Sequence, residues 1–208
     1  MMLHVAAYTG GITIPGARFR VRQYLPELAD AGVAVTEFVS RFGQYPPVAS
    51  WQRPAWVVAR LCEAGLQAAT SHRYDLVLFQ RELFSTFVTF ESLFGRQRVL
   101  DVDDAIWAHS RGSFAMRLAQ LCDAVICGND YLAEYFAASG RQIYVLPTAV
   151  DTTRFVPRKV VNSRPPIVGW SGTRGNLRSL ESIEPSLAII MKRFADLRLR
   201  VICHQAPK

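Results

Sequence analysis

The chain has 208 residues, 50% of them hydrophobic, with a formal net charge of +7 and an isoelectric point near 9.6. That length carries one domain, or one and a fraction, around its own core, with no need of disulfides or metals for stability. The basic balance favours an anionic partner, such as a nucleotide, a phosphorylated lipid, a membrane surface or a nucleic acid.

The first apolar run, Leu3 to Tyr8, has no basic residues before it and is too short for a signal peptide, so it predicts a strand rather than a leader. It ends at Thr9, Gly10 and Gly11. After Gly16 the stretch RFRVRQYLPELADAG places Phe19, Leu25, Leu28 and Ala29 at helical spacing, with Gly32 as its stop. Val33 to Val39 then alternates as a second strand. Phe42 to Pro54 is a loop rich in proline, glycine and aromatics. A helix from about Ala55 to Ala69 follows, carrying Trp56, Val57, Leu61 and Leu66. Its arginines, Arg53 and Arg60, fit a membrane-facing or acceptor-facing element. They fit equally a helix that packs Trp and Leu on a sheet and keeps Arg outside.

Asp75 to Phe79 predicts a buried strand opening onto Gln80, Arg81 and Glu82, with LFSTFVTFESLF as the next helix. Arg98 to Val102 is a strand ending at Asp103 and Asp104. Ala124 to Cys127 is another, ending at Gly128 and Asn129, with YLAEYFAASG as its helix and Gly140 as C-cap; Ile143 to Leu146 closes the set. Short, continuously apolar strands rich in Val, Ile and Leu predict a parallel sheet covered on both faces. The fold class is therefore α/β, a Rossmann-like doubly wound sheet over residues 1–150.

Pro147, Pro157, Pro165 and Pro166 make the stretch from Val145 to Pro166 an extended connector, with 151–166 as the linker between domains. Ile167 to Trp170 and Leu197 to Ile202 then restart the alternation, with SLESIEPSLAIIMKRF as the helix between them, as a truncated second Rossmann-like domain, 167–208. Cys62, Cys122, Cys127 and Cys203 form no CxxC pair. Buried free thiols in a reducing cytosol are expected. No run reaches the roughly 20 apolar residues of a membrane span, so a soluble cytoplasmic protein is expected, with peripheral contact at the inner membrane face as an option.

In open α/β sheets ligands sit outside the carboxyl ends of the strands, which makes the residues just after each strand candidates. Gly10 and Gly11, with Gly16 before a helix, fit either a tight turn or a backbone approach to phosphate. They do not form GxGxxG, which disfavours a nicotinamide cofactor. Arg18 and Arg22 lie one helical turn apart and form a candidate anion clamp, or ordinary surface charge. DVDDAIW concentrates Asp101, Asp103 and Asp104 at a strand end, where a cation, sugar hydroxyl or shared proton offsets their repulsion; helix capping is the other reading. The four histidines lack ligand spacing, so no metal is expected; His109 alone lies near the carboxylates.

In succession, GARFRVRQYLPELADAG, DLVLFQREL, VLDVDDAIW, AVICGNDYLAEYF, VLPTAVDTTRF and IVGWSGTRGNLRSL resemble the family 4 glycosyltransferases, retaining enzymes of GT-B architecture. The resemblance covers most of the chain. It implies two Rossmann-like domains facing a cleft, acceptor on the first and nucleotide-sugar donor on the second, with no essential metal or other cofactor. It implies donor contacts at Gly10, Gly11, Gly172, Thr173 and Arg174. Asp103 and Asp104 become the catalytic candidates facing acceptor or transferred sugar. Arg18, Arg22, Arg81, His109 and Asn129 become acceptor or phosphate candidates. The implied partners are a nucleotide sugar and a glycan or lipid-linked acceptor in polysaccharide or cell-envelope glycan synthesis, and no nucleic acid. The family's paired glutamates would lie beyond Lys208, so the chain as given is expected not to transfer sugar alone. Readings from other classes are a non-catalytic module binding an anion or a partner protein, an NAD-dependent sugar-nucleotide epimerase, and a nucleic-acid binder.

Overall fold

The computed structural model describes residues 2–12, 14–43, 46–84, 90–95, 97–108, 113–157 and 165–203. The chain divides into two compact units, Met1–Phe155 and Val156–Lys208.

The first unit is built on six parallel strands: β1 Leu3–Thr9, β2 Val33–Val39, β3 Leu76–Gln80, β4 Arg98–Val102, β5 Ala124–Cys127 and β6 Gln142–Val145. Their order is β2-β1-β3-β4-β5-β6, in register Val5↔Leu76, Gln80↔Asp101 and Val102↔Cys127 across the centre. The winding reverses between β1 and β3, the place where doubly wound sheets open a crevice for ligands.

Side chains alternate along a strand, so each strand end offers two surfaces. On one face Phe79, Leu100, Val102 and Val125 are fully buried, in a cluster with helix residues from α3 Arg53–Ser71, α4 Ser113–Leu121 and α5 Asp130–Ala137. These are Ala68, Leu118, Leu132 and Phe136. The alternate residues Gln80 and Asp101 turn to the other face, where Arg20 of α1 Pro15–Arg20 meets Asp101.

Three helical expectations are corrected. The first amphipathic stretch is α1, a 3-10 turn Arg22–Tyr24 and α2 Leu25–Asp30, rather than one helix. Pro26 has no N–H with which to bond back to Arg22, so the α-ladder breaks there. In LFSTFVTFESLF the described residues form a 3-10 turn, Glu91–Leu93, between buried Phe84 and Phe94; residues 85–89 lie outside the described residues. The helix α4, whose Phe114, Ala115, Leu118 and Ala119 line the core, is an addition.

Helix α3 also turns differently from expectation. Its buried stripe is Arg60, Ala64, Ala68 and Ser71; the last three are small residues that let the backbone approach the sheet, while Val58 and Leu66 face outward. Arg60 is not outside: it is buried over the Phe84 ring, 5.0 Å from its centroid, and bonds Glu63 and the Leu83 carbonyl. Of the cysteines, Cys122 and Cys127 are buried as expected, and Cys62 is exposed.

The second unit pairs β7 Ile167–Ser171 in parallel with β8 Arg198–Ile202 through α6 Leu177–Glu181 and α7 Glu184–Arg193. Here too a proline, Pro185, divides what the sequence reads as one helix. Among the described residues no helix is long and apolar enough to cross a membrane.

Candidate functional site

The carboxyl ends of β1, β3, β4 and β5 bring together Thr9, Gln80, Asp101, Asp103 and Gly128. Gly128 is packed so tightly that a Cβ there would stand 3.2 Å from the Asp103 Cα, and its N–H bonds the Val102 carbonyl. Glycine at this position is a packing requirement that fixes the Asp103 backbone.

Asp103 is half-buried and Asp104 is exposed. Burial pushes the Asp103 carboxyl above its ordinary range, and the neighbouring Asp104 charge adds to the rise. Arg81 reaches Asp104 at 3.5 Å from a backbone with φ +70°. A non-glycine residue in the left-handed region is strained, and such strain concentrates at functional sites. Its backbone N–H is held by the Asp101 carbonyl, which fixes the strained turn to β4. Glu82, next along, is buried, and desolvation pushes its carboxyl up as well. Burial raises both carboxyls at one sheet end, and acids perturbed in this way mark a candidate functional site.

The three arginines of α1 and the turn after it divide their work. Arg20, the one not singled out, is buried: it forks onto Asp101 and donates to the Leu146 carbonyl and Thr148 hydroxyl. Arg22 forks onto Glu37 at 2.6 and 2.8 Å and also bonds the Ile12 carbonyl. Glu37 in turn accepts from the Thr9 hydroxyl. Arg18 is exposed, with its guanidinium over the Phe19 and Phe155 rings. Arg18 and Arg22 thus do not form a clamp, because the Arg22 fork is already filled.

Gly10 lines a cavity of ≈ 20 Å³ with Thr9, Arg60, Gln80 and Glu82, room for one water. Gly11 takes φ +130°, a backbone that only glycine adopts without strain. The Asn129 side chain accepts from the Leu132 N–H at 2.9 Å and caps α5. His109 lies outside the described residues. In the second unit, a Cβ on Gly172 would meet the Trp170 ring at 2.6 Å, so indole packing demands this glycine. Thr173 is exposed, and Arg174 opens a 3-10 turn, Arg174–Asn176. No group of three or more potential metal ligands occurs among the described residues.

Gln80 and Glu82 escape a reading that looks for charge clusters and glycine motifs. Their signal is positional: both directly follow or end a buried strand, where polar side chains have no packing reason to be.

A groove of ≈ 610 Å³ between edge strand β2 and α3, lined by Phe38, Phe42, Cys62 and Leu66 among others, does not include the strand-end carboxylates.

No family model matches the sequence, and no curated protein matches it. Among solved structures, the chain is similar to Staphylococcus aureus MnaA in a co-structure with UDP: 14% identity, TM-score 0.66, covering 99% of this chain and 63% of that one. It is also similar to a Listeria monocytogenes protein assigned as a UDP-N-acetylglucosamine 2-epimerase: 15% identity, TM-score 0.60, covering 100% of this chain and 64% of that one. The chain spans less than two thirds of the length of either structure. The likeness gives the fold, Rossmann-like α/β of the GT-B type.

Proposed function

We propose that this chain belongs to a nucleotide-sugar enzyme of GT-B architecture, a retaining glycosyltransferase whose first unit receives a glycan or lipid-linked acceptor. The observation that carries this reading is the half-buried Asp103 carboxyl at the carboxyl end of the parallel sheet, raised by burial and by Asp104 and flanked by the strained Arg81. A carboxylate so placed hydrogen-bonds sugar hydroxyls and orients one for attack. The leaving diphosphate needs positive groups around it, and electrostatic stabilisation is the main contribution a protein makes to such a step. From the first unit, Arg18 is assigned to it, with the backbone of Gly10 and Gly11. No metal or cofactor enters this scheme. The setting we assign is cytoplasmic polysaccharide or envelope-glycan assembly.

A second reading is epimerisation of a UDP-sugar, favoured by the epimerase assignment of the Listeria neighbour and by the UDP in the co-structure of the S. aureus one. It uses the same pair of raised acids, Asp103 and Glu82, as proton donor and acceptor. Product analysis separates the two. UDP-N-acetylglucosamine is incubated with the protein, with and without a panel of glycoside acceptors. Acceptor-dependent UDP release with a new glycoside supports transfer. An acceptor-independent change of configuration at C2 supports epimerisation. Because the chain alone is expected not to transfer sugar, binding decides the negative case: no binding of the nucleotide sugar or of UDP by calorimetry refutes both.

A further inference from the structure

Gln80 is 3% exposed, and neither its carboxamide oxygen nor its nitrogen has a hydrogen-bond partner among the described residues. A buried amide in that state carries the full desolvation cost of two polar groups, and native proteins retain such groups where a ligand or water completes them. Asp103 stands beside it on the same surface of the sheet. Both side chains converge on Gly16: the position a Gly16 Cβ would take is 2.5 Å from the Gln80 nitrogen and 3.4 Å from an Asp103 carboxylate oxygen. Gly16 is in the first turn of α1 and has no left-handed φ. Its lack of a side chain therefore serves space rather than backbone conformation. Among the described residues no side chain donates to the Asp103 carboxylate, which is bonded by its own backbone N–H, and the Gln80 amide next to it is an idle donor–acceptor pair.

We propose that Gln80 and Asp103 form a hydroxyl-binding subsite roofed by Gly16, in which a sugar hydroxyl donates to Asp103 while its oxygen accepts from the Gln80 amide. The terminal torsion of a glutamine is broad, so the amide turns toward an entering hydroxyl without leaving its rotamer. A hydroxyl, at once donor and acceptor, matches this pair; a phosphate, which only accepts, would be repelled by Asp103. The ligand class is thus the polyhydroxylated ring of a sugar, either the one carried by the nucleotide or the acceptor's own. This inference rests on the nucleotide-sugar reading above and assigns Gln80 and Gly16 roles within it.

The test uses the full chain, with UDP-N-acetylglucosamine, UDP and methyl N-acetylglucosaminide as probes. The side-chain amide resonance of Gln80, assigned by its loss in Gln80→Leu, is followed by NMR together with calorimetric affinities. The subsite predicts that this resonance moves with a sugar-bearing probe and not with UDP. Movement with the nucleotide sugar only marks the donor sugar, and movement with the glycoside marks the acceptor. Gln80→Leu should weaken the sugar-bearing probe about tenfold, leave UDP unchanged, and raise the melting temperature of the free protein, since two unpaired polar groups disappear. Gly16→Ala should produce the same loss of affinity by pushing a methyl into the amide, on a helix that alanine otherwise favours. An ordered water only, shown by a lower melting temperature in Gln80→Leu with sugar affinity intact in both variants, overturns the subsite and leaves the nucleotide-sugar reading standing. Failure of the wild-type chain to bind any of the probes overturns both.

Discussion

Arg20 and Asp101 form a forked ion pair whose side chains are only 2% and 5% exposed, linking α1 to the centre of the sheet. Arg20 donates onward to the Leu146 carbonyl at 2.5 Å and the Thr148 hydroxyl, and Gln23 bonds the Ala149 carbonyl. One turn of helix thus holds both the carboxylate strand and the segment after β6. Desolvation opposes the Arg20 charge, yet the bond to Asp101 and the nearby carboxylates hold the guanidinium above its ordinary value. Removing one member of a buried pair strands the other, at a cost of about 3–5 kcal/mol. Arg20→Met and Asp101→Asn should each lower stability by that order in denaturant unfolding, far more than Arg18→Ala. Equal small losses in all three would show that the pair contributes nothing.

The division of labour among the arginines gives a second prediction. Arg22 is committed to Glu37 in a largely buried pair, so Arg22→Ala should lower stability by more than the roughly 1 kcal/mol of an exposed pair and cost little affinity. Among the described residues the Arg18 side chain shows ring contacts only, and Arg18→Ala should weaken binding of UDP about tenfold if it makes a charge-assisted bond to phosphate. Calorimetry with UDP on both variants reads this; the reverse ranking would return the phosphate role to Arg22.

The sequence was legible where one period dominated. All six strands of the first unit were expected within a residue or so of where they lie, because continuous Val, Ile and Leu runs leave a parallel strand few alternatives. Helices were read less well where proline chemistry interrupts a valid apolar period, at Pro26 and Pro185. Spacing placed Arg18 and Arg22 on one helix turn, and neither the break at Val21 nor the acceptor Glu37, which arrives from another strand, is visible in spacing. Asp101, which the sequence shows only as part of one carboxylate cluster, is the buried partner of Arg20. The partner itself was hidden, since a buried arginine looks the same in sequence as a solvated one.

Asn129 supplies a test that separates capping from binding. Its side chain satisfies the Leu132 N–H at the start of α5, and loss of such a cap costs about 1 kcal/mol. Asn129→Ala should lower the unfolding midpoint accordingly while UDP-N-acetylglucosamine affinity stays at the wild-type value. Unchanged stability with lost affinity would make it a ligand contact.

The raised acids predict a pH dependence with a definite sign. Asp103 and Glu82 have native pKa values above their ordinary ones, so the folded state holds protons that the unfolded chain releases. Their contribution to stability is complete below the ordinary carboxyl range, about pH 4, and is lost as the pH rises through the raised native values. Asp103→Asn and Glu82→Gln should therefore raise the melting temperature at about pH 8 and leave it nearly unchanged at about pH 4. Stabilisation at acid pH only would reverse the assignment of burial as the cause.

The central claim is that Asp103 faces the sugar of a nucleotide-sugar substrate. Calorimetric titration of UDP-N-acetylglucosamine and UDP into the wild-type chain and Asp103→Asn at neutral pH tests it most directly. The account predicts that Asp103→Asn weakens the sugar nucleotide at least about tenfold, the scale of one lost bond to a charged group, with UDP affinity unchanged and the fold at least as stable. Equal affinity of both proteins for UDP-N-acetylglucosamine would contradict it.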